Sequence, residues 1–181
     1  MSVPREPAPT GDEAGMSMVE VIIYSTLTAL ALSVLGGLFY VGFQTQTAAS
    51  GRDAATGAAQ VVSNSVQTGV RNASSISVSG SVLKARVATG SAGWQCMAWA
   101  LTADNKLVYK ASPAAITSTD YSSWTVLATG ASGRLGGGAA FSGGSAQVSY
   151  SLAFTSGSVT VPVAGAATAS AYGSGSPELC W

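Results

Sequence analysis

The chain contains no histidine. One absence therefore removes both the commonest general base and the commonest transition-metal ligand. Charge is almost as scarce, at 9% of 181 residues against 47% hydrophobic, and eight acidic groups balance eight basic ones. Sparse, balanced charge advertises neither nucleic acid nor an acidic surface as a partner. There is no Gly-x-Ser-x-Gly nucleophile elbow, and the glycine-rich stretch 130–144 lacks the lysine and serine or threonine that close a phosphate-binding loop. The acids beyond the N-terminal part are Asp53, Asp104, Asp120 and Glu178, and their spacing suggests no glycosidase pair. No catalytic, cofactor-binding or metal-binding residue emerges, and an enzyme is the weakest reading.

What is present divides the chain into four. Residues 1–15, MSVPREPAPTGDEAG, hold three prolines and a net negative charge, Arg5 against Glu6, Asp12 and Glu13. Such a segment reads as disordered or removed by processing. From Val21 to Phe43 there is neither charge nor proline, and a helix of that length spans about 35 Å, enough to cross a bilayer core of about 30 Å. Residues 16–43 thus predict a membrane helix, with Gly36 and Gly37 as a flexing point or a place of close helix contact. Across 44–73, Ala55, Ala59, Val62, Val66 and Val70 recur at steps of three or four and predict an amphipathic extension of that helix. Gly51, Gly57 and Gly69 each cost roughly 1 kcal/mol relative to alanine, so the extension needs a surface to pack against.

From Ile76 the period changes to two, which makes 74–181 a β-rich head and the fold class α+β: a long N-terminal helix on an antiparallel sheet. Val148, Tyr150, Leu152 and Phe154, then Ser156-Gly157, then Val159, Val161 and Val163 spell a hairpin with one buried face. Trp94–Leu101 and Leu107–Lys110 predict a second, turning at Asp104 and Asn105. Leu83, Ala85 and Val87 form a further alternating run, and Ser123–Leu127 a shorter one. The stripe Val62, Val66 and Val70 is the expected cover of the buried face, and 130–144 the expected mobile loop. Cys96 and Cys180, an even pair beyond a membrane segment, favour a disulfide in an oxidising compartment over two buried thiols.

The stretch AGMSMVEVII, residues 14–23, joins the first segment to the second. Gly15, then Met16-Ser17-Met18-Val19-Glu20 and an unbroken apolar run, resembles the class III signal of type IV pilins and pseudopilins. In that family a membrane peptidase cuts after the glycine and N-methylates the new first residue. The resemblance makes Gly15 the last leader residue, Met16 the methylated N-terminus and Glu20 the carboxylate that docks subunits. It implies no cofactor, and as partners other pilin subunits, the prepilin peptidase, the pilus assembly platform and, before assembly, the membrane, with the head outside the cell. A Trp-x-Cys-x-x-Trp strand, here Trp94, Cys96 and Trp99, looks like minor pilins of high-GC Gram-positive bacteria, and the Ala, Ser, Gly, Thr and Val bias fits such a genome. Departures are present too: the family commonly begins with phenylalanine and carries a basic leader, and its helix-kinking proline falls here on Gly37. In the outer part, Arg52, Arg71, Lys84, Arg86, Lys106, Lys110 and Arg134 outnumber the acids, a mild excess that permits DNA contact without predicting it. The alternatives are a pseudopilin of a type II-like secretion system, a plain single-pass anchored protein, and a secretory signal cut before Ser50.

Overall fold

The computed structural model describes residues 15–90, 93–174 and 180–181. The leader reading of residues 1–14 and the acid Glu178 lie outside them. Two compact units divide the chain, Met1–Thr45 and Gln46–Trp181.

In the first unit the described residues are exposed and helical from Met18, the first residue of α1, Met18–Arg71. This helix contains a window of mean hydropathy 1.9, long and apolar enough to cross a membrane. Hydroxyl side chains there bond back to their own helix: Thr28 Oγ1 donates to Tyr24 O at 2.7 Å and Thr45 Oγ1 to Val41 O at 2.9 Å.

The described residues of the second unit hold the remainder of α1 and nine strands. A five-stranded antiparallel sheet runs in order β1 (Ala73–Ser79), β2 (Val82–Ala88), β3 (Trp94–Leu101), β4 (Lys106–Ser112) and β5 (Thr125–Thr129). A second sheet is built on β8 (Gln147–Ser156), with β6 (Ala131–Gly133) and β7 (Phe141–Gly143) along one side and β9 (Val159–Thr168) on the other. The single expected sheet is therefore two. The change happens at Gly130, whose φ of 66° turns the chain from β5 into β6 while its carbonyl accepts from Thr155 N of β8 at 2.9 Å.

The stretch 130–144 is not simply a loop. It supplies β6, a 3-10 turn at Gly136–Gly138, and β7. A Cβ on Gly133 would strike Gly138 O, and one on Gly143 would strike Gln147 O. These glycines admit close backbone approach, which composition alone does not distinguish from flexibility. The other boundary corrections are small: α1 ends at Arg71, β1 begins at Ala73, and the shorter run is β5, Thr125–Thr129. The β8–β9 turn is Gly157-Ser158, Gly157 having φ 58°, and the same Ser-Gly-Ser-Val string turns β1 into β2 at Gly80, φ 53°. Glycine with positive φ at the first of two loop residues matches the twist of a hairpin. The β3–β4 turn falls at the expected place, with Asn105 at φ 57° and its N donating to Thr102 O at 3.1 Å.

The core lies where α1 meets both sheets. Val62, Val66 and Val70 are fully buried and pack with Leu83, Trp99, Leu107, Tyr150, Leu152 and Phe154. Each valine so buried contributes roughly 1.5–3 kcal/mol as an upper figure. Polar ties fix the helix to the sheets. Trp99 Nε1 donates to Ser65 Oγ at 2.9 Å, and Tyr150 OH meets Ser63 Oγ at 2.5 Å and accepts from Gln67 Nε2 at 2.8 Å. Gly69 is part of that packing, because a Cβ there would fall onto the Trp99 ring, within 2.7 Å of Cζ2.

Candidate functional site

The junction begins as non-helical backbone at Gly15, Met16 and Ser17, all exposed. Val21 N donates to Ser17 O at 3.2 Å, the first bond of α1, which makes Ser17 the N-cap. Glu20 then stands three residues after the cap, in the first turn. Ser-x-x-Glu is the pattern of a capping box, a signal present in the sequence but passed over there. A carboxylate in the first turn is also favoured by the helix dipole. Glu20 thus has a local structural reason to be where it is, besides any partner outside the chain.

Gly36 and Gly37 lie within unbroken helix, and a Cβ at either would meet nothing within 4 Å. The helix surface is bare at these two positions, open to close approach by another helix. Around them Leu27, Leu30, Val34 and Leu38 are all more than half exposed.

The far face of the first sheet carries a second, smaller core. Cys96 and Cys180 form a disulfide, Cα atoms 5.4 Å apart across a sequence separation of 84. It packs with Ala98, Ala100, Val108, Ile116 and Trp124. Ile116 N donates to Cys180 O at 2.9 Å, and Lys84 Nζ donates to Ile116 O at 2.6 Å, so one lysine ties β2 to the covering segment. Tyr121 stands edge-on to Trp124, centroids 5.0 Å apart, and Arg86 is buried over the Trp94 ring at 5.4 Å. Trp94 and Cys96 meet these groups on the far face or its margin, whereas Trp99 points into the main core. The Trp-x-Cys-x-x-Trp string is therefore split between the two sides of β3.

Among the described residues the ionisable side chains do not gather into one cluster. Asp104 pairs with Lys106 at 3.0 Å, which holds its carboxyl below the ordinary value. Asp120 accepts from Ser122 N at 2.9 Å, and its carboxyl is lowered chiefly by that bond. Both are exposed. Among the described residues no three His, Cys, Asp or Glu side chains gather as a metal site would require. Chemically the described residues offer a helix start with one carboxylate, an uncharged exposed helix and a disulfide-tied head.

No family model, curated protein or solved structure matches this chain.

Proposed function

We propose that the chain is a structural subunit of a type IV pilus-like filament, anchored in the membrane by Val21–Phe43 before assembly and incorporated through the same helix. One arrangement carries the reading: Gly15 and Met16 lie in non-helical, exposed backbone just before α1, Glu20 stands in its first turn, and an uncharged, exposed helix follows.

Each residue has a physical task in such a subunit. A glycine before the scissile bond lets the backbone enter a peptidase cleft without a side chain in the way. Cleavage after Gly15 puts an α-amino group on Met16. That amine is costly among apolar helices unless an opposite charge meets it, and Glu20 of a neighbouring subunit supplies one. The pairing then sets the register between subunits, while the bare surface at Gly36 and Gly37 admits close helix contact. Peptidase, assembly platform and fellow subunits are the implied partners. The head is held outside the membrane and carries whatever adhesive or DNA-binding role the filament has.

A plain single-pass anchor is the second reading. The first-turn position of Glu20 favours it, because a carboxylate there serves its own helix through the dipole. Intact-mass analysis of the membrane-associated protein, with and without the peptidase, separates the two. The filament reading expects a peptidase-dependent chain starting at N-methylated Met16. A chain starting at Met1 in both samples leaves the plain anchor, and one starting at Ser50 makes the segment a secretory signal.

A further inference from the structure

Among the described residues of Gln46–Trp181, the large hydrophobic side chains left exposed are Val61, Val126 and Tyr172. Two of these three, Val61 and Val126, line one groove of about 470 Å³. Its helical wall is Ala54, Ala58 and Val61, and its opposite wall is Val126 and Leu127 of β5, with Phe154 of β8 beside them. The groove opens where the sheets part, because β5 ends the first sheet and β8 belongs to the second. Thr129, Thr155 and Ser156 add uncharged polar groups at its edge, and among the described residues no charged side chain lines it.

The same chain carries a surface of matching chemistry. Leu27, Leu30, Val34 and Leu38 recur at steps of three and four, so they form one row on α1, and all are exposed. Val21–Phe43 has no charge to desolvate, and the groove has none to leave unpaired. Alanines at 54 and 58 let a helix backbone come close, while Val61 and Val126 flank it, the layout by which a groove takes an apolar helix through anchors one turn apart. A second copy of the chain brings this same uncharged, exposed row.

We infer that the groove between α1 and β5 is a docking surface for the apolar helix of a second copy of this chain, which seats the Leu27, Leu30, Val34 and Leu38 row against Val61 and Val126. The inference deepens the filament reading and rests on it: subunits hold one another by helix against head as well as by amine against carboxylate.

Cysteine cross-linking in filaments of the full-length chain tests it. Both native cysteines are in the disulfide, so an introduced cysteine is the free thiol. Chains carrying Val126→Cys and chains carrying Val34→Cys are co-expressed and oxidised in the filament fraction. The expected result is a 126–34 cross-linked dimer at least tenfold more abundant than the dimer from Tyr172→Cys with Val34→Cys. Val126→Asp, a change at an exposed position, is expected to lower incorporation at least tenfold with processing, disulfide and melting temperature unchanged. Cross-links from residue 126 only to residue 126, or none at all in intact filaments, overturn the groove and leave the filament reading standing. So does quenching of a label at residue 126 by spin-labelled lipid in membranes, which makes lipid the occupant. Absence of any filament containing the unsubstituted chain overturns both.

Discussion

Glu20 can serve its own helix, a neighbouring subunit, or both, and substitution separates these tasks because glutamine also completes a capping box. Loss of a first-turn carboxylate costs the helix only about 0.3–1 kcal/mol, whereas loss of a docking charge removes register between subunits. Glu20→Gln is therefore expected to keep helix content and membrane insertion while incorporation into filaments falls as far as in Glu20→Ala. Equal incorporation of Glu20→Gln and wild type, measured by immunoblot of sheared filaments, would show that the charge is not used. Two glycines of α1 make the complementary point about packing. At Gly57 a Cβ would meet nothing within 4 Å, so Gly57→Ala should raise stability by about 0.5–1 kcal/mol through helix propensity. At Gly69 the same change drives a methyl into the Trp99 ring and threatens its bond to Ser65. Gly69→Ala should lose about 1–3 kcal/mol, and thermal melts of the pair in detergent should move in opposite directions. Both residues read alike in the sequence, as costs, because the ring that distinguishes them arrives from thirty residues further along the chain.

Among the elements, β3 is the strand on which the head depends. Trp99 faces α1 and the main core, while Cys96, Ala98 and Ala100 face the second cluster, so WQCMAWAL is covered on both sides. That fits its almost continuously apolar residues, whereas β2 alternates, turning Leu83, Ala85 and Val87 to the main core and Lys84 and the buried Arg86 to the far face. The disulfide secures the outer cover. In the chain-entropy account, closing a loop of 84 residues removes roughly 4–5 kcal/mol of unfolded-state freedom, as an upper figure. Replacing both cysteines by serine should lower the denaturation midpoint. It should also shift Trp124 emission to the red before the midpoint is reached, because Trp124 belongs to the cluster the bond holds; an unchanged midpoint would remove the bond from the stability account. The hairpins were legible because period and turn chemistry are local. The strands hidden in 130–144 were not, because β6 and β7 are three residues each and owe their existence to β8.

Across the whole molecule, stability at high pH follows from a half-buried tyrosine packed against the main core. Burial raises the Tyr109 phenol above its ordinary value of 10.0, and its ring lies 5.5 Å from that of Trp99. Below about pH 10 the phenol is protonated in folded and unfolded chains alike, so nothing changes. As pH rises through 10 the unfolded chain ionises first and stability falls until the folded phenol titrates as well. The melting temperature should therefore drop more steeply above pH 10 in wild type than in Tyr109→Phe, and parallel curves would contradict this. The sequence by itself determined whatever depends on near neighbours: an apolar helix long enough for a bilayer, its amphipathic continuation, the hairpins, and the Gly15, Met16 and Glu20 junction. Those follow from period, turn residues and charge placement, which act over a few residues. The tertiary structure alone decided that the head has two sheets parting at Gly130, that Gly69 is a seat for Trp99, and that Val61 and Val126 share a groove. Each of these brings together residues far apart in the chain, and burial and steric fit are not defined until the chain has folded.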